Sequence, residues 1–209
     1  MDKLKEKIFE TSLSRIWGHF QNHDSAILTA FRHTMINCAN EDDSTGENLQ
    51  TPQNKDRNKQ LSASLMKLGY GITKTSGVFI ENYNTEAAKQ VKEDSYLVVN
   101  LKNDPNFVQN IQKLGEHFCQ DSVLIVPQGG KGAYLLGTNH SAFPGFGQKH
   151  LVGDFKPAIP SDFMSTVDGK RPFHFGEGEN YVIETFDRLG NNSKYFVTNI
   201  SKDILAKIL

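Results

Sequence analysis

The sequence predicts an α+β protein with a single mixed, mostly antiparallel sheet and two or three helices packed on it. The chain contains long segments with apolar residues at helical spacing and, between them, short apolar runs that are typical of strands. The predicted order is strand, helix, two strands, helix, two strands and then further strands. This order lacks the strict strand–helix alternation of a doubly wound parallel sheet. The 209 residues fit one domain.

Helices are predicted where apolar spacing coincides with a start signal. The first covers residues 3–22, and a short last helix is expected over residues 202–209. The second begins at Thr51-Pro52 and the third at Asp104-Pro105, because a capping side chain followed by proline favours a helix start. The third helix is expected to end near Cys119.

Strands and two long loops account for the rest of the chain. Strands are predicted over residues 26–32, 72–82, 95–101, 123–126, 133–137, 171–175, 181–186 and 194–200. Residues 37–50 are polar and are predicted to form a mobile loop. Residues 140–170 are rich in glycine, proline and phenylalanine, so we expect a long ordered loop that wraps the core.

Composition excludes several classes of protein. The 23 basic and 24 acidic residues give a net charge of −1, which argues against a dedicated duplex-binding protein but leaves room for a local basic strip. The sequence contains no apolar run of the roughly 20 residues needed to cross a bilayer, and its start leads into no apolar signal segment. Cys38 and Cys119 are expected to be reduced thiols of a cytoplasmic protein.

Catalytic motifs are absent from the sequence. The glycine-rich segment 128–132 joins two predicted strands and has no Ser or Thr after Lys131, so it reads as a hairpin turn rather than a phosphate loop. His19 and His23 lie four residues apart but lack the further ligands of a metal site. There is no nucleophile elbow. We therefore predict no catalytic residue, no metal and no cofactor.

Two polar clusters are candidate ligand-binding sites. The second helix opens with Arg57, Asn58 and Lys59 near its positively polarised end, where an anion could bind. A solvated helix face is the alternative. The second cluster lies at strand ends, where local capping is the alternative interpretation; it comprises Arg32, Glu93, Ser95, Gln120, Asp121, Thr138 and Asn139.

The sequence also resembles a family of phage- and prophage-borne proteins known as a domain of unknown function. The resemblance rests on Arg57-Asn58-Lys59 with Leu61, Leu65 and Leu68-Gly69-Tyr70-Gly71, then Gly77, Glu93, Ser95-Tyr96-Leu97-Val98 and Gln120-Asp121-Ser122-Val123. It extends from a segment like Ile27 to Arg32 to one like Gly169-x-Arg171-Pro172-Phe173, roughly residues 14–176. It implies a viral origin and no established chemistry.

Our leading hypothesis is a phage-type accessory protein that binds a macromolecule, namely a host protein or a replication or virion component. Phe143 and Phe146 of the 140–170 loop are its candidate interface residues. The alternative is a protein that binds or processes a nucleotide or single-stranded nucleic acid, with Tyr70 or Tyr83 stacking a base. A structural virion component is a third interpretation. We expect a location in the host cytoplasm or in the virion.

Overall fold

The computed structural model describes residues 15–81, 89–156, 164–167, 171–176, 182–185 and 195–198, with side chains described over 15–75 and 93–155. Three helices and ten strands lie in these residues. In chain order they are α1 (15–22), β1 (Ser25–Leu28), α2 (Thr51–Lys67), β2 (Gly71–Glu81), β3 (Lys89–Val99), α3 (Phe107–His117), β4 (Ser122–Val126), β5 (Ala133–Gly137), β6 (Lys149–Lys156), β7 (Met164–Val167), β8 (Arg171–Gly176), β9 (Val182–Thr185) and β10 (Tyr195–Thr198).

Eight of the strands form one sheet that closes on itself. Its order is β1-β3-β2-β7-β8-β6-β5-β4, and β4 pairs back with β1. Every pairing described is antiparallel, and β9 and β10 form a separate two-stranded sheet. The segment from β1 to β4 has the order β4-β1-β3-β2 with α2 and α3 as connections, which is the ferredoxin-like arrangement. The predicted α+β class is confirmed.

The two faces of the sheet carry separate apolar cores, because side chains alternate along a strand. On the outer face, Leu28 and Val98 pack with α2 and α3, whose Leu61 and Ile111 are fully buried. On the inner face, Leu97 and other apolar side chains pack against α1. The helix α1 therefore packs on the inner face of the closed sheet, and α2 and α3 pack on its outer face.

Local sequence explains where α2 and α3 lie. Gln50 rather than the predicted Thr51 caps α2, in a capping box with Gln53, and Pro52 occupies the first turn. In α3, Gly115 allows a close approach to the sheet, because a Cβ there would lie 2.7 Å from Cγ2 of Thr138. That approach places the end of α3 against Thr138, the first residue after β5.

Several predictions need correction. The 140–170 segment is not one loop, since β6 and β7 lie within it; Gly153, with φ +114° beside a register shift at Ala133/Tyr134, interrupts the alternation that marks a strand. The first strand ends at Leu28 rather than residue 32. Residues 37–50 are largely irregular apart from a 3₁₀ turn at Glu41–Asp43, and the mobility of this loop stays a prediction.

Cys38 and Cys119 form a disulfide, so the prediction of reduced thiols is wrong. They are 81 residues apart in sequence but have a Cα–Cα distance of 4.7 Å. A pairing of two distant positions leaves no signature in either local sequence. The predicted helical residues 3–14 and 202–209 lie outside the described residues. Among the helices that the structure describes, none is long and apolar enough to cross a membrane.

Candidate functional site

Two buried amide side chains of α2 hold the chain that follows β1. Asn58 accepts a hydrogen bond from the Ala30 N–H through Oδ1 (2.7 Å) and donates through Nδ2 to the Asp94 carbonyl (2.8 Å). Asn54, one turn earlier, bonds both the N–H and the carbonyl of Arg32 (2.9 and 3.0 Å). Asn58 was predicted to contact a ligand, but its amide binds the backbone groups of Ala30 and Asp94.

Arg57 joins the same segment to the end of α3. Its Nε donates to the Ala30 carbonyl (2.9 Å) and its Nη2 to the Phe118 carbonyl (2.6 Å), while the guanidinium lies 5.6 Å from the Phe118 ring centroid. Burial lowers the pKa of Arg57, and the neighbouring Arg32 cation adds to this shift. The side chain still carries its charge at neutral pH. Its donors are directed at protein carbonyls.

Most of the other predicted ligand residues meet beside Arg57 and bind one another. Asp121 accepts from Arg32 Nη1 (2.7 Å) and from Asn139 Nδ2 (2.6 Å). Gln120 donates to the Phe31 carbonyl (2.9 Å), and Thr138 donates to the Gln120 carbonyl (2.6 Å). Together with the disulfide, these bonds hold residues 30–38 against the segment that follows α3. These residues lie together, and their polar groups bind one another or the backbone.

A surface pocket of about 200 Å³ lies between α2 and the outer face of β2 and β3. We call it the lysine pocket; it is lined by Phe31, Lys55, Asn58, Lys59, Lys74, Asp94 and Tyr96. Lys74 pairs with Asp94 (2.8 Å) and Lys59 with Asp56 (2.8 Å), and these hydrogen bonds raise the pKa of both lysines. Both of these lysines are therefore cations at neutral pH. Of the predicted ligand residues, Asn58 and Lys59 line this pocket, and Lys59 is the charged one.

A second polar group of residues lies on the inner face of the sheet. Thr75 and Ser95 are directly opposite each other on β2 and β3, and they are only 2% and 1% exposed. Within the part of the chain that the structure describes, neither hydroxyl has a hydrogen-bond partner. Glu93 is half-buried and, two residues before Ser95, lies on the same face. We call these three residues the inner polar row.

The sequence analysis identified Glu93 and Ser95 but missed Thr75. It grouped Glu93 and Ser95 with Arg32, Asp121 and the other residues of the strand-end cluster. Asp94 lies between Glu93 and Ser95 in sequence and points to the opposite face, where it lines the lysine pocket. The partnership of Thr75 with Ser95 depends on the β2–β3 register, which local sequence does not specify.

The two candidate interface phenylalanines are exposed. Phe143 is 42% and Phe146 43% exposed, and each ring lies against a histidine: His150 at 4.8 Å and His140 at 5.3 Å between centroids. They form a small aromatic surface beside β6.

In the described ranges, no group of three or more His, Cys, Asp or Glu side chains could hold a metal ion. No curated protein matches the sequence significantly. A family model described as the S-adenosylmethionine lyase family matches residues 45–175, more than half of the chain. The match includes the whole inner polar row and every residue of the lysine pocket except Phe31. The chain therefore belongs to the S-adenosylmethionine lyase family.

Proposed function

We propose that this protein is a lyase that cleaves S-adenosylmethionine, and that the substrate binds at the inner polar row. Family membership supports the reaction class. The observation that supports the location is the pair of buried hydroxyls of Thr75 and Ser95 that have no partner among the described residues. A buried polar group without a hydrogen bond costs about 1–3 kcal/mol. A bound ligand that supplies donors or acceptors would recover that energy.

The charge of the substrate favours the inner polar row over the lysine pocket. S-adenosylmethionine carries a sulfonium, an ammonium and a carboxylate, so its net charge is positive at neutral pH. The lysine pocket has three cations and one carboxylate in its lining, which disfavours a cationic ligand. The inner polar row carries the Glu93 carboxylate, which attracts one.

The chemistry of a lyase limits what Glu93 does. The carbon–sulfur bond breaks without water or a redox partner, its electron pair stays on sulfur, and the sulfonium becomes a neutral thioether. The carbon fragment either loses a proton or is closed by the substrate's own carboxylate. Because positive charge on sulfur disappears, a carboxylate against the sulfonium would stabilise the substrate more than the transition state. Glu93 is therefore assigned to the ammonium or the ribose hydroxyls.

Apolar side chains beside the inner polar row favour a reaction in which the sulfonium loses its positive charge. Leu97 continues the inner face beyond Ser95 and packs in the apolar core with α1. A site with few polar groups near the sulfonium disfavours the charged substrate relative to the charge-dispersed transition state. The two hydroxyls then orient the ligand, while the apolar side chains exclude water from the reacting carbon.

The test is a chromatographic assay of purified protein incubated with S-adenosylmethionine. We expect an adenosine thioether to appear, and we expect S-adenosylhomocysteine to remain intact, because it has no sulfonium. Wild-type protein that leaves S-adenosylmethionine unchanged would refute the function.

The double variant Thr75→Val/Ser95→Ala tests the location separately. Removing two unpartnered hydroxyls should leave the free energy of unfolding unchanged or raise it. It should nevertheless raise KM, by roughly tenfold for each hydrogen bond of about 1.4 kcal/mol that is lost. An unchanged KM would place the substrate elsewhere while leaving the lyase assignment intact.

Binding of a host or phage protein, and a phage origin, remain predictions. The exposed Phe143 and Phe146 are compatible with such a surface. Purification of the tagged protein from cells, compared with a Phe143→Ser/Phe146→Ser variant, tests it: a partner retained equally by both would remove these residues from the interface.

A further inference from the structure

The lysine pocket combines aromatic rings with cationic side chains. Phe31 and Tyr96 present partly exposed aromatic rings, and three lysines surround them. Lys55 and Lys59 are one turn apart on α2, so both project from one helix face. Lys74 projects from β2, on the other side of the pocket. Cations therefore flank the aromatic walls from two elements.

We propose that the lysine pocket binds the phosphate of a nucleotide whose base stacks on Phe31 or Tyr96, either as a free nucleotide or within a single strand. Aromatic platforms with neighbouring cations are the general means of holding bases and phosphates without base specificity. This site is distinct from the inner polar row and does not depend on the lyase assignment.

The size of the pocket limits its ligand to one nucleotide unit. Its volume of about 200 Å³ is below the roughly 300–1,000 Å³ of pockets that enclose whole drug-sized ligands. In the proposed arrangement one base ring stacks on Phe31 or Tyr96, and the phosphate lies at the lysine-bearing rim. Adjacent nucleotides of a strand would extend over the surface.

The ion pairs that Lys59 and Lys74 make with Asp56 and Asp94 leave both lysines accessible to a phosphate. Lys59 is 78% exposed and its partner Asp56 66%, while Lys74 and Asp94 are 65% and 38% exposed. Such exposed pairs are weak. A phosphate with up to two negative charges competes with a single carboxylate, and Lys55 adds a third cation to the rim.

The test measures binding of a fluorescein-labelled ten-residue oligothymidylate by anisotropy at several salt concentrations, with ATP as an unlabelled competitor and no S-adenosylmethionine present. The variant Lys55→Glu/Lys59→Glu reverses two charges at the pocket. The matched control Lys67→Glu/Lys113→Glu makes the same change in net charge at exposed lysines of α2 and α3. Circular dichroism establishes that both variants are folded.

We expect the pocket variant to weaken binding at least tenfold and to reduce the salt slope by about 1.4, from two phosphate contacts on a single strand. The control should bind as wild type does. A Tyr96→Leu variant should also weaken binding, because it removes a stacking surface while keeping an apolar side chain.

The competitor identifies the source of the nucleotide. Displacement of the oligonucleotide by ATP indicates a site for one free nucleotide, and binding that ATP leaves unchanged indicates a strand. Absence of oligonucleotide binding at low salt overturns the proposal. An equal loss in the pocket variant and its control also overturns it, since that result reports only net charge.

Discussion

Removing the Cys38–Cys119 disulfide should lower stability by several kcal/mol. The variant is Cys38→Ala/Cys119→Ala, and the bond closes a loop with a sequence separation of 81 residues. The loop-entropy expression for that length gives about 4.5 kcal/mol at 25 °C, mostly from the greater freedom of the unfolded chain. That is a large part of the roughly 5–15 kcal/mol that stabilises a typical domain.

Urea unfolding followed by circular dichroism measures the effect. With a slope of about 2–3 kcal/mol per molar urea, the midpoint should fall by about 2 M. Reduced wild-type protein should unfold with the variant, and the variant should not respond to reductant. A variant with the wild-type midpoint would refute the argument. The argument would also be refuted if both cysteines of denatured, unreduced wild-type protein reacted with maleimide, because that result would show that the disulfide is absent.

Two further predictions concern buried polar contacts. Asn58→Ala should cost about 2–3 kcal/mol of unfolding free energy, because it leaves the Ala30 N–H without its partner and removes one of the two donors to the Asp94 carbonyl, which keeps its bond from the Thr29 hydroxyl. Gln60→Ala on the exposed face should change the free energy by less than about 0.5 kcal/mol, and similar midpoints for the two variants would contradict the role of Asn58. Tyr70 donates to Asp104 (2.7 Å), and burial, the largest cause, raises the pKa of Tyr70 to about 12. The folded state therefore holds its proton more tightly than the unfolded state, so this stabilisation is complete below about pH 10 and is lost as pH rises towards 12. Unfolding free energies should fall more steeply over that window in wild type than in Tyr70→Phe; parallel curves would show that the Tyr70 hydroxyl makes no such contribution.

Within the described residues up to Gly137, local sequence predicts the helices and strands well, except that β1 ends and β3 begins earlier than expected. Thr51-Pro52 marks the start of α2, and its Leu61 and Leu65 are fully buried against the outer face of the sheet. Hydrophobic spacing and start signals act over a few residues, so one sequence carries them. The same reasoning fails for β6, where glycine and aromatic residues obscure the alternation.

Closure of the sheet could not be predicted, because it depends on pairing between strands far apart in sequence. The β4–β1 and β6–β8 pairings decide it, and neither leaves a local signal. The disulfide is beyond prediction for the same reason. These features arise from tertiary contacts rather than from propensity.

The candidate site was predicted in part. Arg32, Asp121 and Asn139 do converge, but their groups satisfy one another rather than an exposed ligand site. Glu93 and Asp94 are adjacent in sequence and lie on opposite faces of the sheet, so one faces the inner polar row and the other the lysine pocket. Residue types alone cannot assign Glu93 and Asp94 to different sites, because the two faces of β3 are defined only by its position in the sheet.

The most direct test of the proposed lyase site compares Glu93→Gln with Glu116→Gln, a second half-buried glutamate that lies on α3. Each substitution removes one negative charge with little change in shape. The rate of thioether formation from S-adenosylmethionine should fall at least a hundredfold in Glu93→Gln and stay at the wild-type value in Glu116→Gln. Equal rates for Glu93→Gln and wild type would contradict the assignment of substrate to the inner polar row.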